Sequence, residues 1–357
     1  MQVNTLILTC FKNYVQKSFD FQSRIVAICG ANGTGKTNLL DALYHLCLTK
    51  SYFPSSDVLN HTQQDFGWRI EAHFKQPADV EKLVCLQPVN GKKIVVVNDI
   101  PLSKLSDHIG RIPAIFIAPD DIALINEGSE GRRSFLDALI SQTDSEYLQT
   151  LISYHALLQQ RNAYLKSGYI SPQDNLLDTY DNQLAPLGDA LYAKRKIVTN
   201  EIFPIISQHY QWLSDQKENP EWSYQSAIHE MSFGDILRKY RQTDVQIQRT
   251  SQGLHRDDLI VSLNGHSFKT LASQGQKKSL LFAMKLAAFD FIKIKKQRAP
   301  LLLLDDLFEK LDEQRVQRLM EWVEKQQDTQ VFLTDTHTSR VKKSFEQAGI
   351  QGQIIEL

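Results

Sequence analysis

The period of apolar and polar positions changes repeatedly along the chain, and each change predicts an element. From Met1 to about Gln22, "VNTLILTCFKNYVQKSFDF" alternates around a polar turn, which predicts two strands. An apolar run, Ile25 to Ile28, leads into a glycine-rich stretch and then a helix carrying Leu39, Leu40 and Leu43. Short strands return between about Gly67 and Leu102, where Asn90-Gly91 between "KLVCLQPV" and "KKIVVV" predicts a two-residue hairpin. An antiparallel sheet is therefore expected beside the first strands. "IPAIFIAPDD", Ile112 to Asp121, predicts a further buried strand ending in a turn.

From about Glu127 to Glu230 the period becomes helical, first in "SEYLQTLISYHALLQQRNAYL" and then from Leu177 to Leu213. In the second run Leu177, Tyr180, Leu184, Leu187, Leu191, Val198, Ile202 and Ile205 recur every three to four positions, the pattern of a helix with one packed stripe. Core packing is the expected use of that stripe, and two antiparallel helices sharing it would form an arm; the other reading is a lobe that contacts a partner or DNA. Pro186 and Pro204 are expected to kink or segment the run, because each removes a donor inside it. Near Ser232 the mixed α/β character returns. There Leu301 to Leu304, in "APLLLLDDLFEKLD", reads as a strand buried on both faces of a parallel sheet. The expected division is 1–126, 127–230 and 231–357, with a helical lobe inserted into an α/β head.

At 357 residues the chain is long enough for more than one lobe. A formal net charge of −1 announces no global basic excess, so any nucleic-acid contact would have to be a local patch. Arg132 and Arg133 are candidates for such a patch; Lys92 and Lys93 either touch a phosphate backbone or are solvated hairpin lysines. The four cysteines (Cys10, Cys29, Cys47, Cys85) have no Cys-x-x-Cys or zinc-like spacing and read as buried thiols of a reducing compartment. With no charged leader and no apolar run approaching ~18 residues, a soluble cytoplasmic protein without a membrane partner is expected.

The chemistry starts at "RIVAICGANGTGKTNLLDAL". Gly30, Gly33, Gly35, Lys36 and Thr37 fit Gly-x-x-x-x-Gly-Lys-[Ser/Thr] between a strand and a helix, the context that separates a phosphate loop from an ordinary glycine-rich turn. Backbone N–H groups and the helix N-terminus would face phosphate oxygens, Lys36 would reach the β/γ-phosphates, and the Thr37 hydroxyl would hold Mg²⁺. Asp305 and Asp306, at the tip of the buried strand, are either an Asp-rich turn or an acid pair. As acids, Asp305 would bind Mg²⁺ and Asp306 would orient or deprotonate an attacking water. Ser273, before Gly275 in "LASQGQKKSLLFAMKLAAF", sits at a helix N-cap position. It is either a plain cap or a second anion-binding device, which one chain with one γ-phosphate would use only on the nucleotide of another copy.

The order of loop, Ser-Gln-Gly-Gln helix start, buried strand with Asp-Asp, and Leu311-Asp312 resembles ABC-type ATPases of the branch that includes SMC heads. More closely, "LTCFKNY", "GANGTGKTNLLDALY", "KSYF", "FIAPDD", "GRRSFLD", "YHALLQQRNAYLK", "GLHRDDL", "LASQGQKKS" and "LLLLDDLFEKLD" resemble, end to end and in order, the bacterial RecF family of recombination-mediator ATPases. The resemblance implies an ABC-type P-loop core with a flanking antiparallel sheet and an inserted helical lobe. It also implies weak ATP hydrolysis, with ATP and Mg²⁺ as cofactors. The implied role is ATP-dependent binding to single-stranded and gapped double-stranded DNA at single-strand/double-strand junctions, with RecO and RecR, in repair, replication restart and the SOS response. An ATP-dependent homodimer is implied too.

Carried over residue by residue, Gly30, Ala31, Asn32, Gly33, Thr34, Gly35, Lys36 and Thr37 form the nucleotide loop. Thr37 and Asp305 hold the metal, Asp306 is the catalytic acid, and Ser273, Gln274 and Gly275 form the signature acting on the partner copy. Lys12 and Asn13 either line the nucleotide pocket or form a surface turn. Arg256 serves either a dimer interface or a salt bridge. His337 stands where a γ-phosphate-sensing His is found, though many relatives do without one. No glutamine-loop residue is evident, and the "APDD" turn is the nearest candidate. Two rival readings are the ATPase subunit of a transporter, whose signature would lie much closer to the loop, and a monomeric P-loop small-molecule kinase.

Overall fold

The computed structural model describes residues 2–53, 67–75, 81–168, 171, 174–214, 218–306, 308 and 312–357. In chain order the first elements are β1 (Gln2–Phe11), β2 (Tyr14–Asp20), β3 (Ile25–Cys29), α1 (Lys36–Leu48), β4 (Trp68–Lys75), β5 (Lys82–Gln87), β6 (Ile94–Val97), β7 (Ile100–Pro101) and β8 (Ala114–Ile117). Then come α2 (Ala123–Asn126), α3 (Ser129–Thr143), α4 (Ser145–Leu165), α5 (Asn175–Leu213), β9 (Glu221–Gln225), α6 (Phe233–Ile247), β10 (Asp258–Leu263), β11 (His266–Ser267) and α7 (Phe268–Leu271). The last are α8 (Gln274–Lys296), β12 (Leu301–Leu304), α9 (Glu313–Lys325), β13 (Val331–Asp335), α10 (Thr338–Ala348) and β14 (Gln353–Glu356). The chain divides into two compact units, Met1–Asp121 with Lys278–Leu357, and Ile122–Lys277.

The first unit contains two sheets. One is parallel, in the order β14-β3-β13-β12-β8, and the other is antiparallel, in the order β2-β1-β4-β5-β6-β7. β3, β8, β12 and β13 are buried along their whole length, which is why each reads as a continuous apolar run rather than an alternating one. β4 alternates instead, with Trp68, Ile70, Ala72 and Phe74 inward. α1 packs against β8, β12 and β13 of one sheet and β4 and β5 of the other. A helix walled by two sheets is covered all round, and a polar group on it, such as Asp41, needs a partner. Every residue of α1 is buried except the half-buried Thr37 and Asn38.

The two-residue hairpin lies elsewhere than expected. β5 and β6 pair with Leu86 opposite Ile94, and the connection turns over Pro88 to Gly91, whose N–H donates to the Pro88 carbonyl at 3.2 Å. It is β6 and β7 that join through two residues, Asn98 and Asp99, both left-handed (φ 49° and 64°), with Val97 opposite Ile100. Lys93 leaves the loop to donate to the Thr49 carbonyl at 2.8 Å, at the end of α1.

In the second unit, α5 runs unbroken from Asn175 to Leu213 with Pro186 and Pro204 inside it, where segmentation was expected. Both prolines, and the residues four positions before them (Asn182, Asn200), are exposed, so the carbonyls left without a helical donor face water. Leu177, Leu184, Leu191, Val198 and Ile202 of the stripe are core, as the periodicity predicted, while Tyr180, Leu187 and Ile205 are only half-buried and the buried line runs through Asp181, Gly188 and Arg195 as well. The unit also extends past the helical stretch 127–230, because β9 pairs antiparallel with β10 (Leu259 opposite Tyr224) and draws the chain as far as Lys277 into it.

Candidate functional site

β3 ends at Cys29 and the loop closes over Gly30 to Gly35 before α1 begins at Lys36. Gly33 and Gly35 are left-handed (φ 84° and 108°), and a Cβ on Gly35 would stand 2.5 Å from Asn13 Nδ2 and 2.8 Å from the Tyr14 hydroxyl. The loop is braced by its neighbours. Asn13 Nδ2 donates to the Thr34 carbonyl at 3.2 Å, Asn38 donates to Asn13 Oδ1 at 2.8 Å, and the Tyr14 hydroxyl donates to the Gly35 carbonyl at 3.1 Å. Within it, Thr34 Oγ1 donates to the Ala31 carbonyl at 3.0 Å, while Asn32 and Gly33 are exposed at the tip. Lys36, 5 % exposed, directs its ammonium into the loop, 2.9 Å from the Gly30 carbonyl and 3.0 Å from that of Ala31.

β12 delivers the acids to the same place. The Thr37 hydroxyl lies 3.0 and 2.9 Å from the two carboxylate oxygens of Asp305. Thr334, at the end of β13, donates to Asp305 Oδ1 at 2.8 Å and accepts the Asp306 N–H at 2.8 Å. Burial pushes the Asp305 carboxyl up to about 6, and the neighbouring Asp306 adds to the rise; the hydrogen bonds from Thr334 and Thr37 and the charge of Lys36 oppose it. Asp306 is left-handed at φ 44°. A hydroxyl and a carboxylate face to face form an oxygen-only donor pair, which suits Mg²⁺, a cation that takes its remaining ligands from water and substrate phosphates. No cluster of three or more acidic, His or Cys ligands exists among the described residues.

Ser273 is the N-cap expected of it, in a reciprocal box: Gln276 N–H donates to Ser273 Oγ at 3.2 Å, and Ser273 N–H donates to Gln276 Oε1 at 2.5 Å. Ser273 and Gln274 are exposed and Gly275 half-buried, and all three fall in the second unit. His337 is exposed at the start of α10, its N–H donating to Asp335 Oδ1 at 2.6 Å. Lys12 does not reach the loop. Its ammonium pairs with the buried Asp41 carboxylate of α1 at 2.5 Å, and of the expected pair only Asn13 touches the loop. Of the D-loop pair, Leu311 lies outside the described residues and Asp312 caps α9, accepting the Arg315 N–H at 3.0 Å.

Arg132 and Arg133 are not a free basic patch. Arg132 forks onto Asp258 at 2.7 and 2.9 Å, and Arg133 donates to the Asp257 carbonyl at 2.8 Å. Burial lowers the Arg133 guanidinium from its ordinary range. Arg256, by contrast, is exposed and forms no salt bridge among the described residues.

Two sets of contacts could not be foreseen from local sequence. Thr334 and Asp335 close β13, a strand whose end faces both the loop and the acids; Gly30 N–H donates to the Asp335 carbonyl at 3.3 Å, and Arg340 donates to Asp335 Oδ1 at 2.9 Å. Behind the "APDD" turn, Asp121 pairs with Lys285 of α8 at 3.0 Å and accepts from the Tyr52 hydroxyl, while the Tyr52 ring stacks on Phe116 at 4.3 Å. An isolated Thr in a strand and a Lys in an apolar helix look like ordinary surface-facing positions until the fold encloses them.

The RecF/RecN/SMC N-terminal domain family matches residues 2–353. The DNA replication and repair protein RecF of Flavobacterium johnsoniae is 40% identical over 344 residues, 96% of either chain. Among solved structures, the recombination mediator protein RecF-ATPrS in the RecFOR pathway superposes with a TM-score of 0.86 at 25% identity, covering 100% of this chain and 96% of that one. RecF-ATP of the same pathway gives 0.85 at 27% identity, covering 94% and 92%. With its parallel loop-and-acid sheet, its antiparallel sheet and its ABC-type ATPase fold, the chain belongs to the RecF family of DNA replication and repair proteins.

Proposed function

We propose that the chain is an ATP-dependent DNA-binding recombination mediator. It acts at single-strand gaps and single-strand/double-strand junctions with RecO and RecR, in repair, replication restart and the SOS response. The observation that carries this reading is the meeting of Lys36, Thr37 and Asp305 at one loop, in a chain whose relatives include the solved RecF-ATP of the RecFOR pathway. The triphosphate of ATP lies in Gly30 to Thr37, with Lys36 transferring its ammonium from the loop carbonyls to phosphate oxygens. Mg²⁺, held by Thr37 and Asp305, supplies neutralisation of phosphate charge. Asp306 positions and deprotonates the attacking water, and turnover is weak.

Ser273, Gln274 and Gly275 of a second copy close over the γ-phosphate, so that two ATP molecules join two chains head to tail. A ligand bound more tightly by the dimer than by the monomer shifts the monomer–dimer equilibrium by mass action. The dimer grips DNA and hydrolysis releases it. Because Arg132 and Arg133 are engaged within their own unit, the DNA contact draws on other cations, of which the exposed Arg256 is one. Among the described residues no helix is long and apolar enough to cross a membrane.

The test is sedimentation with and without ATP, followed by addition of gapped DNA at two salt concentrations. ATP should produce the dimer and raise DNA affinity, and salt should lower that affinity. A chain that stays monomeric with ATP, or binds gapped DNA equally without it, overturns the reading.

A further inference from the structure

We propose that Thr334 is a positioning residue for hydrolysis: its single hydroxyl sets the Asp305 carboxylate and the Asp306 backbone in one register. The proposal rests on the ATPase reading above. β13 lies between β3 and β12 in the parallel sheet, so its C-terminal end is flanked by the strand that feeds the loop and the strand that carries the acids. Thr334 is fully buried there. A hydroxyl has one proton, and the partners fix where it goes: the Asp306 N–H donates to Thr334 Oγ1, and Thr334 Oγ1 donates to Asp305 Oδ1, both at 2.8 Å.

The relay has a consequence on each side. Asp305 Oδ1 accepts from Thr334 at 2.8 Å and both carboxylate oxygens lie within 3.0 Å of the Thr37 hydroxyl, so Thr334 fixes the orientation in which the carboxylate faces Thr37. Asp306 adopts φ 44°, a left-handed backbone that a residue with a Cβ rarely takes, and the bond from its N–H to Thr334 ties it there. Thr334 is closed off from solvent. It acts through the two acids, as an outer-shell partner acts through a metal ligand.

Thr334→Val keeps the shape and β-branching of the side chain and deletes both hydrogen bonds. It should lower kcat for ATP about 10- to 100-fold and raise the Mg²⁺ concentration for half-maximal binding of a fluorescent ATP analogue by a similar factor. Binding of that analogue without Mg²⁺ should be unchanged, because the loop itself is intact. Thr334→Ser, which keeps the hydroxyl, should restore both quantities to near wild type. If Thr334→Val does not melt cooperatively, Thr334→Ala is measured in its place with the same expectation. A Val or Ala variant with wild-type kcat and Mg²⁺ dependence overturns the proposal, as does a Ser variant that fails as badly as Val. If instead the wild-type chain shows no Mg²⁺-dependent ATP hydrolysis, it is the ATPase reading that fails.

Discussion

Thr37 and Asp305 stand 268 positions apart in the chain, and their side chains meet at 2.9 and 3.0 Å. Thr37 lies in the first turn of the helix that follows β3 and its loop, and Asp305 just past β12, two places from β3 in the parallel sheet with β13 between. The sheet order, rather than any local feature, makes them a pair.

Lys36→Ala should abolish tight nucleotide binding, since the ammonium inside the loop has no substitute. Asp306→Asn should bind ATP normally, cut turnover by about 10²- to 10⁴-fold, and hold the ATP dimer together. Equilibrium binding of a fluorescent ATP analogue and sedimentation check the two. An Asp306→Asn chain that is monomeric with ATP would contradict the assignment.

Ser273→Ala should cost about 1 kcal/mol through the lost cap of α8. Ser273→Arg should in addition reduce ATP turnover by about 10²-fold or more, as the loss of a transition-state contact does. Urea unfolding and ATPase assays separate the two effects, and a monomeric kinase would show only the first.

Arg195 donates to both oxygens of Asp137 at 2.8 and 3.0 Å and to Asp257 at 3.1 Å, inside the second unit. Removing one member of such a group strands buried charge. Arg195→Leu should destabilise that unit by about 3–5 kcal/mol, read by urea unfolding. Arg132→Ala should likewise lower stability while leaving the DNA affinity of the folded protein as it was, because Arg132 is committed to Asp258.

His108 is fully buried, and its Nε2–H donates to the Leu46 carbonyl at 2.6 Å. Burial lowers its pKa from 6.5 to about 4, the Leu46 hydrogen bond opposing and Arg111 adding to the shift. Between those two values the unfolded chain binds a proton that the folded chain refuses, so stability falls as pH falls from about 6.5 to 4, by up to roughly 3 kcal/mol from this group. His108→Gln should flatten that part of the profile, measured as urea midpoints at pH 7 and 4.5.

The sequence revealed what depends on short spacing. Gly30 to Thr37 and the run Leu301 to Leu304 announced a loop and a buried strand because each signal fits within a few residues. Asn90-Gly91 misled, because turn propensity does not say how far the flanking strands extend, and the tight hairpin formed at Asn98-Asp99 instead. Pro186 misled for a similar reason: its cost depends on which side of α5 faces water. Arg132 and Arg133 looked like a surface patch because their partners, Asp258 and Asp257, lie over 120 positions away. Thr334 was silent, since its role exists only where three strands end together.

The enclosure of α1 between its two sheets limits how the molecule can respond to ATP. A helix packed between two sheets is a firm seat for the loop at its head. The approach left open to that loop is the side where Asn32 and Gly33 meet solvent.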